Sequence, residues 1–464
     1  MSSRKGKKFL PKTKSEAELI ESKGHVINKM PHLKNNGKWK IYWRHLFLMV
    51  IFWILLIHYY ERVVVKRAMK LCMWNKWENW PKEAESFKVG LFADPQIMDN
   101  HSYPGRPEVV NFFTRSILDN YHRRNWKYVQ FWLDPDASLF LGDLFDGGRY
   151  WEDEYWHEEY KRFNEIFPKK AGRKSIMSLP GNHDIGFGDT VIEKSFKRFT
   201  TYFGDTSSYT NLGNHTFVLI DTIALSDKAN KNISDIPKEF LHQFSKTHHP
   251  LPKIMLTHVP LYRDPKVQVC GKLRESPKLF PMLKGDQYQT VIDYDISQNI
   301  LSTVQPRYLF SGDDHDYCHI NHTYATPDGI VKTADEITVK SCAMNMGISK
   351  PAIQLLSLYN PTLNESPNIE TIQTNICYLP DPYKPIKMYV ITLLITVGLV
   401  IYINIFPRKF NDNVVTRLER LREKRLAQTV NCFQCHWVPY VLPIQRLLDL
   451  ITMFKNGFPL LVYL

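Results

Sequence analysis

Apolar residues are too sparse for a polytopic membrane protein: mean hydropathy over the chain is −0.33. Internal repeats are absent. A basic excess is absent from the middle of the chain, although the formal charge is +13 over 464 residues. Residues 1–44 hold 12 Lys+Arg against 3 Asp+Glu, residues 408–464 hold 9 against 4, and the stretch between nets −1. The charge is therefore tail charge, and no nucleic-acid partner is expected. No small-residue cleavage site follows the first apolar run, which also lies too far in for an ordinary cleaved signal peptide. A KDEL-type ending is missing too, since the chain finishes Pro459-Leu-Leu-Val-Tyr-Leu464; no retention signal can be read there. Cysteine is scarce, at seven.

Two runs stand out against this background. Leu46 to Tyr60 is apolar, is extended by Ile41 to Trp43, and has Arg44 placed to snorkel. Met388 to Phe406 is nineteen residues without a charge. At ~1.5 Å rise per residue, that length approaches the ~30 Å hydrocarbon thickness. Both are expected to span a membrane, the first as a signal anchor. The positive-inside rule then puts both tails in the cytosol and the middle in a lumen or outside the cell. Asn-x-Ser/Thr acceptors start at Asn100, Asn214, Asn232, Asn321 and Asn364, all between the two runs. Cys72, Cys270, Cys318, Cys342 and Cys377 share that side. An oxidising lumen would allow one or two disulfides among them, with one thiol left over and the pairing open.

The expected organisation follows. Residues 1–44 form a basic cytosolic tail, with 1–40 largely disordered, and 45–60 the first span. Residues 61–85 form a stem whose Trp74, Trp77 and Trp80 make an interfacial aromatic belt. Residues 86–380 are the globular lumenal domain, 388–406 the second span, and 407–464 a cytosolic tail with membrane-associating character. That tail holds a basic helix-like run, Val414 to Ala427, and an apolar but interrupted stretch, Trp437 to Leu464. Its Cys432-Phe-Gln-Cys-His436 has the spacing of a haem attachment site. Cytosolic placement argues against haem, and unrelated cysteines are favoured over a zinc site.

Within the globular part, short apolar runs repeatedly end in polar residues able to ligate a metal. Phe87–Ala93 leads to Asp94-Pro-Gln96, Ala137–Leu141 to Gly142-Asp143, and Ser175–Leu179 to Gly181-Asn-His-Asp184. Thr216–Ile220 leads to Asp221, Lys253–Leu256 to Thr257-His258, and Arg307–Phe310 to Gly312-Asp-Asp-His-Asp316. Val339–Met346 and Ile353–Tyr359 read as further strands. Pro107–His122 and Tyr150–Phe167 read as helices. Strands and helices in this order indicate an α/β (α+β) sandwich with its site along one edge of the sheets. Each polar residue alone would suit an ordinary turn. Carboxylates, imidazoles and amide oxygens gathered from five strand ends suit a two-metal hydrolytic site.

In this order the motifs resemble the calcineurin-like metallophosphoesterases: AlaAspProGln at 93–96, GlyAspLeuPheAspGlyGly at 142–148, GlyAsnHisAsp at 181–184, ThrHis at 257–258 and GlyAspAspHisAsp at 312–316. The resemblance covers most of the globular part. It implies a metallophosphoesterase sandwich flanked by helices, holding two divalent metal ions. One ion would take Asp94, Asp143, His315 and Gln96. The other would share Asp143 and add Asn182, His258 and Asp313, or Asp314 if the register slips by one. His183 would be the catalytic histidine, poised by Asp184. Gln96 and Asp313 stand where many members have histidine. Oxygen for nitrogen makes a harder site, and Mn²⁺ is expected.

Longer runs narrow the resemblance: AlaAspProGln followed by His101-Ser-Tyr-Pro-Gly-Arg-Pro107, then LeuPheAspGlyGlyArg, AsnHisAspIleGlyPheGly and SerGlyAspAspHisAspTyrCys. They look like the endoplasmic-reticulum phosphodiesterases, of fungal type, that remove ethanolamine-phosphate from a mannose of glycosylphosphatidylinositol (GPI) anchors. GPI-anchored proteins or the GPI glycolipid would then be substrate, and cargo-sorting proteins candidate partners. The alternatives are a lumenal protein or lipid phosphatase, and a non-catalytic cargo-sorting adaptor.

Overall fold

A computed structural model describes residues 43–187, 190–362, 370–406 and 420–421. Tail residues 1–42, the Cys432–His436 motif, the stretch 437–464, the run 414–427 apart from 420–421, and the Asn364 acceptor lie outside the described residues. The chain divides into two compact units, before and after the Ile54–Leu55 junction. In the first unit, described residues 43–54 belong entirely to an apolar helix, Trp43–His58.

Among the described residues, the second unit is built on thirteen strands. They are β1 Phe87–Phe92, β2 Ala137–Phe140, β3 Lys174–Ile176, β4 Ser208–Leu212, β5 His215–Leu219, β6 Lys253–Leu256 and β7 Lys284–Gly285. The rest are β8 Tyr288–Gln289, β9 Tyr308–Ser311, β10 Cys318–Ala325, β11 Val331–Thr338, β12 Ala352–Leu358 and β13 Ile372–Tyr378. One sheet runs β13-β12-β1-β2-β3 and the other β10-β11-β9-β6-β5-β4, while β7 and β8 make a separate hairpin. Strands β1, β2 and β3 are parallel neighbours, as are β5, β6 and β9. Parallel neighbours bring their carboxyl ends, and the loops that follow, to one edge.

Alternation along each strand decides what faces what. Val89, Leu91 and Ala93 pack with Phe217, Leu219, Ile254 and Leu256 in the layer between the sheets. Phe92 and Phe140 belong to a second core with Trp126 and Phe163, which sit on the helices Glu108–Tyr128 and Asp153–Ile166. The result is the expected sandwich of two sheets flanked by helices.

Two expectations are corrected. Val339–Met346 is not a strand, because its polar groups are held by the neighbouring loops. Lys340 is buried on Asp316 at 2.8 Å, Ser341 N–H donates to the His315 carbonyl at 3.0 Å, and Ser341 Oγ donates to the Asp94 carbonyl at 2.9 Å. The sheet edge is instead closed by the antiparallel pair β10–β11. The tryptophans of 61–85 are not a free interfacial belt either. Trp74 is buried, with its Nε1 donating to the Leu133 carbonyl at 2.6 Å, and Trp80 Nε1 donates to Ser357 Oγ at 2.7 Å. That segment is folded into the body.

Two helical stretches are long and apolar enough to cross a membrane by length and composition, His45–Leu71 and Tyr383–Ile405. Their body-side ends meet. Tyr60 packs edge-on to Tyr389 at 5.9 Å between ring centroids, Tyr389 Oη donates to Glu61 at 2.9 Å, and Glu61 also pairs with Arg124 at 2.5 Å. A disulfide, Cys72–Cys377, ties the end of the first stretch to β13. A second joins Cys270 to Cys318, and Cys342 is free and buried. This falls within the expected one or two bridges with one thiol left over. Cys72–Cys377 closes a loop of 305 residues, so removing it releases a large denatured-state constraint. Cys72→Ser/Cys377→Ser should cost about 2–5 kcal/mol and lower the midpoint of urea unfolding. An unchanged midpoint would show that the bridge adds nothing.

Candidate metal centre

Five loops after parallel strands deliver the expected residues to one place, and the backbone is bent to do it. Among the described residues nine non-glycines have positive φ, and five of these are expected ligands: Asp94 (47°), Gln96 (37°), Asp143 (50°), Asp313 (64°) and His315 (65°). A left-handed conformation costs a non-glycine residue about 1–2 kcal/mol. Concentrating it on the polar strand ends is a structural mark of a site that the sequence does not carry.

Asp94, Asp143 and His258 are all buried and offer ligand atoms that lie within 4.8 Å of one another. Asp313 joins them: its N–H donates to Asp94 Oδ1 at 3.0 Å, and its carboxylate is 3.6 Å from His258 Nε2. Asp314 turns away into an ion pair with Arg274. Asn182 Oδ1 lies 3.4 Å from His258 Nε2, and its Nδ2 donates to the Gln287 carbonyl at 3.3 Å, which sets the amide orientation. Gln96 donates Nε2 to Asp146 Oδ1 at 3.0 Å. His315 is the least connected of the set; Asp143, His183 and His258 are its electrostatic neighbours.

His258 shows what the cluster is suited to hold. Its Nδ1 is 2.7 Å from the Leu141 carbonyl, so Nδ1 carries the proton. Burial lowers its pKa below the usual imidazole value, against the pull of Asp143. Nε2 is then a bare lone pair. It faces Asp143 Oδ1 at 3.5 Å, Asp313 Oδ1 at 3.6 Å and Asn182 Oδ1 at 3.4 Å. Four electron-rich atoms face one another there. Asp94 Oδ2 and Gln96 Oε1 are also buried without a hydrogen-bond partner. Burial, then Asp143, pushes the Asp94 and Asp313 carboxyls well above the usual range. Such a set is stable when a cation neutralises it, and a His whose other nitrogen donates to a backbone carbonyl is the usual form of an imidazole ligand. The donors fit divalent metal.

His183 lies beside this cluster. Its N–H donates to Asp143 Oδ1 at 2.9 Å. Its ring Nδ1 contacts the Asp146 carbonyl, with the Asp146 carboxylate 3.4 Å away. Asp184 does not poise this ring, contrary to the sequence expectation. Its carboxylate instead accepts the N–H groups of Gly181, Leu144 and Phe145 at 2.9–3.1 Å. It clamps the two motif loops together. Asp146 was missed, and the signal was its place three residues after Asp143 in the same loop.

Residues 87–317 match the family model described as calcineurin-like phosphoesterase. Over 388 residues the chain is 61% identical to Cell division control protein 1 of Saccharomyces cerevisiae, covering 82% of this chain and 79% of that protein. The chain belongs to the calcineurin-like phosphoesterase family. It is more distantly similar to Metallophosphoesterase 1 of Xenopus laevis, 25% identical over 318 residues, covering 61% of this chain and 76% of that one. Metallophosphoesterase 1 of Cricetulus griseus is 26% identical over 230 residues, covering 44% and 58%. As a calcineurin-like phosphoesterase the protein is a hydrolase of phosphoric ester bonds, from a family that binds divalent metals.

Two glycines of the calcineurin-like motifs are needed for contact between loops. Gly142 has φ +91°, and a Cβ there would lie 2.5 Å from His258 Nδ1. At Gly181 a Cβ would lie 2.0 Å from Asp143 Oδ1 and 2.3 Å from the Asp143 backbone N. Backbone cannot yield as a side-chain tip can. Gly181→Ala should therefore displace Asp143 and cut activity at least about 100-fold, the scale of a lost electrostatic contact in a transition state. Wild-type turnover by this variant would show that the loops do not meet so closely.

Proposed function

We propose that this calcineurin-like phosphoesterase is a phosphodiesterase of the endoplasmic-reticulum membrane that removes an ethanolamine-phosphate branch from a mannose of the GPI-anchor glycan. GPI-anchored proteins or the GPI glycolipid are its substrate, and the trimming promotes anchor remodelling and export. The catalytic domain is lumenal and both termini are cytosolic. The observation that carries the phosphodiesterase reading is the buried convergence of Asp94, Asp143 and His258 beside His183. The substrate rests on the longer motif runs, from AlaAspProGln through SerGlyAspAspHisAspTyrCys.

Topology supports a membrane-anchored substrate. The basic excess lies in the two tails, and the domain is anchored at both ends by the apolar helices. Four acceptor asparagines, Asn100, Asn214, Asn232 and Asn321, are exposed, as N-glycosylation requires. Two disulfides fit an oxidising lumen.

Asp94, Asp143, His315 and Gln96 would hold one ion, and Asp143, Asn182, His258 and Asp313 the other. Oxygen donors outnumber nitrogen donors, which favours Mn²⁺ over Zn²⁺. Bound there, the ions supply Lewis-acid activation of water and of the phosphoryl oxygens. The chain's own contribution is proton handling and position. His183 keeps its Nδ1 proton on the Asp146 carbonyl and uses Nε2 to protonate the departing mannose oxygen. The Asp146 carboxylate, 3.4 Å from Nδ1, helps hold the ring in place. Asp184 fixes the loops of Asp143 and His183 in register.

Mass spectrometry of anchor glycans from cells lacking the protein tests the substrate. Retained ethanolamine-phosphate on one mannose is expected; glycans identical to those of normal cells overturn it.

A further inference from the structure

The helix Glu108–Tyr128 carries an apolar face that no described residue covers. Val109 is 67% exposed, Phe112 65%, Phe113 59%, Val110 46% and Ile117 45%. Spaced at i, i+3, i+4 and i+8, Val109, Phe112, Phe113 and Ile117 form a stripe along one side. The opposite side is buried through Leu118, Tyr121, His122 and Trp126. An unpartnered stripe with two phenylalanines is a contact surface in waiting.

Its position identifies the occupant. Further along the same helix, Tyr121 Oη donates to the Pro380 carbonyl at 2.8 Å, three residues before the second apolar helix. Arg124 pairs with Glu61, which also accepts from Tyr389. Tyr103, in the loop before the helix, is an electrostatic neighbour of Tyr383. Both ends of this stretch therefore meet the point where the two apolar helices join the body. Arg123 and Lys127, exposed beyond the apolar stripe, suit lipid phosphates, although Arg123 also lies 3.8 Å from Glu165. Apolar side chains with basic residues alongside are the composition of a helix that lies in a membrane interface.

We propose that the apolar face of Glu108–Tyr128 docks into the lipid interface beside the two spanning helices. This rests on the reading that those helices span a membrane. The consequence concerns the site, because the segment Gln96–Asp99 leads directly through 100–107 into this helix. Docking holds that rim of the metal centre against the bilayer, where a membrane-anchored phosphodiester would present itself.

The test uses the full chain in vesicles of phosphatidylcholine and phosphatidylserine, in a Cys432→Ser/Cys435→Ser background. An NBD fluorophore is attached through Phe113→Cys or, as a span reference, Val397→Cys, and brominated lipids serve as quenchers. Quenching at both positions, with shallow bromines more effective at 113, is expected. Quenching at 397 alone overturns the proposal and leaves the spans standing. Quenching at neither overturns the span reading on which it rests. Disulfide cross-linking of two Phe113→Cys chains in place of quenching would make the face a contact between copies, and also overturns it. In a second measurement, Phe112→Ser/Phe113→Ser should lower kcat/KM about tenfold for a vesicle-embedded phosphodiester while leaving a soluble one unchanged. An equal fall on both substrates would mark the face as structural.

Discussion

Asp143→Asn should lower hydrolysis by at least about 100-fold, and should also make the chelator-treated protein more stable than wild type. The two effects have one cause. Asparagine keeps the shape and can still accept the His183 N–H, a 2.9 Å bond in wild type. What disappears is a charge that Asp94, Asp313 and Asp184 all feel as repulsion. Burial is the larger influence on each of them, and Asp143 adds to it in the same direction. A carboxyl raised in the fold stabilises the folded state at low pH and loses that contribution as pH rises through its folded value. For Asp184 the folded value is about 8, against about 4 in an unfolded chain. Chelated wild type should therefore lose stability between roughly pH 4 and 8, and Asp143→Asn should lose less. At neutral pH the variant should melt higher by a few degrees, the equivalent of about 1 kcal/mol. Divalent metal should reverse the order, because only wild type has the full ligand set to bind it. Thermal melts with and without chelator check this. A chelated variant that melts below chelated wild type would show that the repulsion from Asp94, Asp313 and Asp184 is outweighed by His258, His183 and His315, which against burial hold the Asp143 carboxyl below its usual range.

His183→Asn should behave differently. The ring of His183 faces Asp146 and is not among the atoms gathered around His258 Nε2. Losing it should leave metal affinity nearly intact while kcat falls about 10²–10⁴-fold, the usual scale of a general acid. The loss should shrink when the leaving group is a nitrophenol, which departs without a proton, because the missing step is then no longer needed. Asp146→Asn should fall in the same direction by about 10–100-fold, since it alters the side chain that orients the ring but leaves the ring itself. Isothermal titration with Mn²⁺ together with leaving-group-dependent kinetics separates these effects. A His183→Asn variant that no longer binds metal would place His183 among the ligands and contradict the assignment.

Much of this site was legible before any coordinates, because each motif residue follows a short apolar strand. Parallel pairing of β1–β2–β3 and β5–β6–β9 then brings those strand ends together without further information. Lys253–Leu256 has the expected bounds, and Ile353–Tyr359 is displaced by one residue. Less legible were the features set by tertiary contact. Asp184 looks like a partner of its neighbour His183, but α-helical geometry over Asn182–Ile185 sends adjacent side chains in different directions. It finds backbone N–H groups of another loop. Val339–Met346 has the composition of a strand, yet its backbone and Lys340 are used to hold the loops carrying Asp94, His315 and Asp316. The tryptophans of 61–85 read as a membrane belt because single-residue polarity cannot tell a lipid headgroup from a pocket wall. Cys72–Cys377 draws that segment onto the body. The left-handed backbone at the five candidate ligand positions has no sequence signature, since none of those residues is glycine.

The most direct measurement takes the purified full-length chain, stripped of metal and resupplied with Mn²⁺, and isolated GPI glycolipid carrying ethanolamine-phosphate on its mannoses. Mass spectrometry of the glycan follows the reaction. Loss of one ethanolamine-phosphate, with Mn²⁺ added and not in chelator, by wild type and not by Asp143→Asn, is the expected result. Glycolipid left intact under conditions where the same preparation hydrolyses a soluble phosphodiester would contradict the proposed substrate. Metal-independent turnover, or equal turnover by the variant, would contradict the metal centre itself.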